Sequence, residues 1–123
     1  MSVDGEDPFS AAEVMNILRP NVGGDTRVLY EAEHQSESVT LLGINGQRAV
    51  GQAAVLDALK GGALGERYLR VLRATGEEGG VTVQAELRRT REPNNPDPLP
   101  LSVRWGKEAD GAWRISDWSV QQR

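Results

Sequence analysis

The stretch DGAWRISDWSVQQR, residues 110–123, decides how the closing strand of the fold is built. It carries two tryptophans, Trp113 and Trp118, five positions apart. Side chains of a regular strand alternate between its two faces, so an odd spacing puts the two indoles on opposite faces. Either both faces of this strand are covered, or one extra residue bulges out between the tryptophans.

A bulge near Ser116–Asp117 is the interpretation we favour, because long bent sheets need bulges to curve. It would place four apolar side chains on one face: Trp113, Ile115, Trp118 and Val120. A regular strand would instead leave a second apolar face, and a dimer partner is the obvious cover for it. The two interpretations do not exclude each other.

Three stretches upstream of this strand alternate in the same way. Residues 67–75, 81–91 and 99–105 read as strands, and the second keeps its apolar side chains at odd positions from Val81 to Leu87. The proline-rich segment EPNNPDP, residues 92–98, cannot join a strand ladder, and it is either a lid or only a loop. The last four strands therefore form an antiparallel meander.

The first half of the chain reads as helices and one hairpin. SAAE at residues 10–13 is a capping box, and the helix that it opens ends before Pro20. A second short helix is predicted over residues 26–33, and a third from residue 52 to the glycine pair at 61–62. Asn45-Gly46 is a hairpin turn between two short strands. Early helices and late strands predict an α+β fold with three helices on one face of a bent antiparallel sheet.

Composition narrows the function. The 123 residues predict a single domain, residues 9–123, behind an acidic solvated tail, residues 1–8. The net charge is −4 without a basic stripe, which argues against nucleic acid as partner. No apolar run reaches membrane length and no signal pattern opens the chain, so we expect a cytoplasmic protein. Arginine outnumbers lysine twelve to two, which is typical of GC-rich bacterial genomes.

Two residue types limit the chemistry. The chain has no cysteine, which excludes disulfides, thiolate catalysis and cysteine metal sites. It has one histidine, His34, which rules out a multi-histidine metal site. We therefore expect neither a metal nor a cofactor.

The order of elements and three local patterns resemble the nuclear-transport-factor-2-like (NTF2-like) superfamily. This group includes the SnoaL-like polyketide cyclases and the ketosteroid isomerases. The matching pieces, which lie within residues 9–121, are GGDTRVLYEAE, VTLLGINGQRAVGQAAVLDAL and DGAWRISDWSV. The resemblance implies a cone-shaped domain, in which a bent sheet wraps around three helices and leaves an apolar pocket at its open end. It also implies a homodimer through the outer face of the sheet.

The resemblance places the two isomerase carboxylates near Leu42 and Leu101, where this sequence has no acid. Isomerase chemistry of that type is therefore disfavoured. Three other side chains are candidate acids or bases: Asp117, Tyr30 and His34. Asp117 is alternatively a solvated strand residue or part of the bulge, and His34 a surface residue where the second helix frays.

The function that we predict is binding of an apolar small molecule, without a complete known catalytic set. The candidate pocket residues are Met15, Leu18, Tyr30, Leu42, Leu59, Leu72, Leu87, Val103, Trp105 and Trp118. One alternative is a cyclase, isomerase or hydratase that uses Asp117, Tyr30 or His34. Another is a protein-interaction module that acts through the outer face of the sheet.

Overall fold

A computed structural model describes residues 12–16, 32–44, 46–64, 68–77, 80–88 and 98–121. Residues 12–16 are helical (α1), Ala32–His34 form a short 3₁₀ helix, and α2 spans Gln52–Lys60. The strands are β1 Gln35–Leu42, β2 Arg48–Val50, β3 Tyr68–Glu77, β4 Gly80–Arg88, β5 Leu99–Lys107 and β6 Trp113–Val120. The predicted α+β class is confirmed.

The six strands form one sheet in the order β2-β1-β6-β5-β4-β3. The predicted meander from β3 to β6 is confirmed, since each of its neighbouring pairs is antiparallel. The prediction of a fully antiparallel sheet is wrong, because β1 and β6 pair in parallel. These two strands are far apart in the sequence, so no tight turn forces them to run in opposite directions.

The predicted hairpin around Asn45-Gly46 is confirmed by the antiparallel pairing of β1 with β2. Gly46 has a φ of 76°, a left-handed conformation that glycine adopts without strain. Gly43 N donates to Gln47 O at 2.8 Å and closes the turn. β2 is therefore fixed at one edge of the sheet, next to the start of α2.

The described helices lie against one face of the sheet, which we call the inner face. Val14 of α1 and Val55 of α2 are fully buried in the same apolar core as the strands. The three predicted helices are confirmed only in part. The predicted second helix, residues 26–33, lies mostly outside the described residues, and Ala32 and Glu33 at its end belong to the 3₁₀ helix. None of the described helices has the length and apolar composition that crossing a bilayer requires.

The predicted bulge in the closing strand is confirmed. Arg104 pairs with Asp117 whereas Trp105 pairs with Ile115, so Ser116 is the extra residue. Its Oγ donates to Arg104 O at 3.2 Å. The four apolar side chains of β6 therefore share the inner face, with three of them buried and Trp113 half-buried.

Two further irregularities interrupt the sheet. In β3 the pairing with β4 skips Leu72, and in β1 the pairing with β6 shifts between Gln35 and Thr40. A bulge bends its strand and increases the local twist. Three such positions in one six-stranded sheet agree with the bent sheet that the sequence predicts.

Candidate functional site

One row of cross-strand neighbours on the inner face forms the candidate site. Trp105 of β5 lies between Val81 of β4 and Ile115 of β6, and Ile115 in turn pairs with Gln35 of β1. Trp105, Val81 and Ile115 are fully buried, and Gln35 is 1% exposed. The register of the sheet changes next to this row: Ser116, directly after Ile115, is the bulged residue of β6, and the β1–β6 pairing shifts after Gln35.

Trp105 carries the unusual feature of the row. Within the described ranges, its indole N–H finds no hydrogen-bond acceptor, although the residue is fully buried. A buried donor that is left unsatisfied costs about 1–3 kcal/mol. Most buried polar groups in proteins have a partner, and an exception calls for an explanation such as a functional role or an ordered water or ion.

His34 lies against Trp105. The two ring centroids are 6.1 Å apart and the rings are tilted by 55°. The side chain of His34 is 19% exposed, and its Nε2 is 3.9 Å from Glu33 Oε1. The alternative of a histidine on a frayed, solvated helix end is wrong, because the 3₁₀ helix turns this ring towards the core.

Gln35 and Trp118 form a second polar contact in the interior. Trp118 Nε1 donates to Gln35 Oε1 at 3.0 Å, and Trp118 is fully buried. Sequence reasoning missed Gln35, because its neighbours in EHQSES are so polar. Alternation along β1 does not reveal it either, because the register shifts after Gln35 and Glu37, two residues on, is exposed.

The first residue of α2 holds this segment in place. Gln52 Nε2 donates to Ala32 O at 2.8 Å and to Gln35 O at 3.1 Å. Both carbonyls flank His34 in the chain. The helix start therefore fixes the backbone that presents His34 to Trp105.

The three indole N–H groups differ in their partners. Trp113 Nε1 donates to Glu13 Oε2 of α1, and Trp118 Nε1 donates to Gln35. Trp105 has no equivalent partner in the part of the chain that the structure describes. The contrast identifies Trp105 as the indole whose buried donor is left to be explained.

Asp117 lies on the opposite, outer face of the sheet. Thr40 Oγ1 donates to Asp117 Oδ1 at 2.5 Å, and Asp117 is half-buried next to the inward-facing Trp118. The structure therefore separates Asp117 from His34, and it supports the alternative of a strand residue beside the bulge. Tyr30, the third candidate acid or base, lies outside the described residues.

Leu42 and Leu101, the positions that the resemblance matches to the isomerase carboxylates, face opposite sides of the sheet. Leu101 is buried on the inner face, whereas Leu42 lies on the outer face with Thr40. The inward-facing neighbour of Leu42 is Leu41, which is 2% exposed. Neither Leu41 nor Leu101 supplies a carboxylate to the inner face.

The predicted pocket residues divide into three groups. Leu87, Val103, Trp105 and Trp118 are buried in the core, and Met15 and Leu59 pack against it. Placing Leu42 and Leu72 in the interior is wrong: Leu42 faces outwards, and Leu72 is the bulged residue of β3 and is 52% exposed. Leu18 and Tyr30 lie outside the described residues.

A shallow groove of about 320 Å³ lies on the outer face, away from Trp105. Its lining residues are Leu72, Gln84, Ala85, Glu86, Pro98, Pro100, Leu101, Ser102 and Gln121. Within the described ranges, no three His, Asp or Glu side chains gather as metal ligands. The inner-face row therefore stands as the candidate site.

Comparison with solved structures shows an NTF2-like fold. A protein of unknown function from Pectobacterium atrosepticum, of the DUF3225 family, is 22% identical over 98% of this chain and 97% of its own, with a TM-score of 0.65. A candidate ketosteroid isomerase from Shewanella frigidimarina is 12% identical over 91% and 94%, with a TM-score of 0.60. A candidate polyketide cyclase from Sinorhizobium meliloti is 19% identical over 89% and 94%, with a TM-score of 0.55. No protein-family model and no curated protein matches the sequence.

Proposed function

We propose that this chain binds an apolar small molecule at the inner face of its sheet, beside Trp105. The observation that carries the proposal is the buried indole N–H of Trp105, which has no acceptor among the described residues. A bound molecule with an acceptor would satisfy this donor and recover the cost of its burial. The apolar neighbours Val81 and Ile115 would contact the rest of the molecule.

The position of His34 suggests how a ligand would reach Trp105. Its ring contacts Trp105 and is still 19% exposed, so it lies between the buried indole and solvent. Gln52 holds the carbonyls on either side of His34, so opening this route would require the 3₁₀ helix to move against these two hydrogen bonds. We therefore expect the ligand to enter past His34.

Binding is a better-supported function than turnover. Acid-base catalysis needs a titratable group within reach of the ligand, and Asp117 lies on the other face. His34 is the candidate acid or base that the structure places beside the row. Two of the similar structures carry enzyme names, but a shared fold does not transfer an activity.

Nitrogen-edited NMR tests the proposal directly, because each tryptophan gives its own indole N–H signal. We would titrate the protein with 2-acetylnaphthalene to about 1 mM and assign the signals with Trp→Phe variants. We expect the Trp105 signal to move and the Trp113 signal to stay. Unchanged Trp105 with shifts at Gln84 and Ser102 would place binding in the outer groove, and no shift anywhere would equally refute the proposal.

The homodimer that the family resemblance implies stays a prediction. It would use the outer face, so it is compatible with a ligand on the inner face. Native mass spectrometry measures the subunit count and any retained ligand in one spectrum. A retained adduct that disappears in a Trp105→Phe variant would support the binding proposal independently.

A further inference from the structure

We infer that the ligand is a neutral molecule that presents a carbonyl or ether oxygen to Trp105 Nε1. This inference rests on the proposed function and specifies the chemical class that the site takes. An indole N–H is a donor only, so it gains nothing from a ligand hydroxyl acting as donor and gains a hydrogen bond from an acceptor oxygen. The neighbours Val81 and Ile115 add apolar contact but no polar group.

The second polar pair of the interior does not change this requirement. The side-chain oxygen of Gln35 already accepts from Trp118 Nε1 at 3.0 Å. An acceptor on the ligand is therefore matched by Trp105, whereas the oxygen of Gln35 already accepts one hydrogen bond from Trp118. Because the N–H of Trp118 has an acceptor and that of Trp105 has none among the described residues, the site favours ligands with an acceptor oxygen.

The charges around the row argue for a neutral ligand. An anion needs a cation when it leaves water, since an unpaired buried carboxylate is very costly. The buried Arg88 lies at the end of β4 opposite to Val81, and its Nε is 3.5 Å from Glu86 Oε1. Lys107 and Arg114, at the near end of the sheet, are paired with acidic side chains: Lys107 with Glu13, and Arg114 with Glu108 and Asp110.

A pair of matched probes tests the class. 2-Acetylnaphthalene and 2-isopropenylnaphthalene have nearly the same shape, but only the ketone offers an acceptor. By isothermal titration calorimetry, we expect the wild-type protein to bind the ketone roughly tenfold more tightly, as one recovered hydrogen bond implies. We expect 2-naphthoate to bind more weakly than the ketone by at least a similar factor.

The variants locate the effect. Trp105→Phe should bring the preference for the ketone to within about twofold, whereas Trp113→Phe should keep it. Circular dichroism checks that both variants fold. If Trp105→Phe does not fold, the wild-type NMR signal decides: the Trp105 N–H should move downfield with the ketone and less with the alkene.

The outcomes separate the two proposals. Equal binding of ketone and alkene to the wild type would overturn the acceptor class and leave small-molecule binding intact. Tighter binding of 2-naphthoate than of the ketone would overturn the neutral class of ligand. Failure of all three probes to bind would remove the proposed function itself.

Discussion

Replacing Gln35 by leucine tests whether the interior depends on its polar pair. Gln35 is 1% exposed, and its side-chain oxygen accepts the N–H of the fully buried Trp118 at 3.0 Å. Leucine is similar in size but has no acceptor. The change therefore removes the acceptor that Gln35 supplies to the Trp118 N–H.

The expected loss follows from the lost hydrogen bond between Trp118 and Gln35. An unsatisfied buried donor costs about 1–3 kcal/mol, and the gain from burying leucine instead of an amide offsets part of it. We expect Gln35→Leu to lower the free energy of unfolding by about 1–2 kcal/mol. This is a large share of the roughly 5–15 kcal/mol that stabilises a domain.

Urea unfolding followed by far-ultraviolet circular dichroism measures the effect. With a slope of about 1–3 kcal/mol per molar urea, the midpoint should fall by roughly 0.3–2 M. In a double-mutant cycle, Gln35→Leu and Trp118→Phe should couple by about 1 kcal/mol, because phenylalanine has no donor to orphan. Gln35→Leu and Trp113→Phe should be additive. A loss below about 0.5 kcal/mol, or coupling to Trp113 instead, would refute the reasoning.

Three further predictions follow from the backbone and the surface. Deleting Ser116 removes the extra residue and leaves Trp113 and Trp118 four positions apart, so a regular β6 still turns both inwards and dispersed NMR signals should persist; a deletion variant in which Trp118 becomes accessible to an added quencher would contradict the assignment of the bulge. Gly80→Ala places a Cβ 2.5 Å from Trp105 O of β5 and should lower the free energy of unfolding, measured in urea, by about 1–3 kcal/mol. Gly106→Ala, where a Cβ meets open space, should leave it unchanged, and equal losses would disprove the steric argument. The hydrogen bond from Arg114 lowers the pKa of Asp110 below 3.8, so its stabilisation is present above that pH and lost as pH falls through the lowered pKa. Asp110→Asn should lower the melting temperature at neutral pH and converge with wild type once the pH is below the lowered pKa of Asp110; a difference that persists in stronger acid would contradict this.

Local patterns predicted much of the fold. The spacing of Trp113, Ile115, Trp118 and Val120 predicted the bulge, because alternation within one strand is a local property. The glycine turn at Gly46 predicted the first hairpin for the same reason. The parallel pairing of β1 with β6 was out of reach, since it joins strands that no short connection links.

The candidate site was harder to predict, for a physical reason. Placing Leu42 and Leu72 in the interior failed because a shift of one residue turns a strand side chain to the other face. The bulge at Leu72 produces such a reversal in β3. Gln35 was missed because its burial depends on Trp118, far away in the sequence, and not on its polar neighbours.

The parallel pairing of β1 with β6 also determines when the sheet can be completed during synthesis. Thr40 and Asp117 are hydrogen-bonded across 77 positions of sequence. Of its two neighbouring strands, β1 therefore lacks β6 until the end of the domain has been synthesised. Closing so long a loop is an entropic cost that the local pairs β3–β4 and β4–β5 do not carry. We therefore expect the meander to form first, and β1 to join it last. Until then the β1–β2 hairpin exposes an unpaired strand edge. The row around Trp105 forms only when β1, which carries Gln35, pairs with β6.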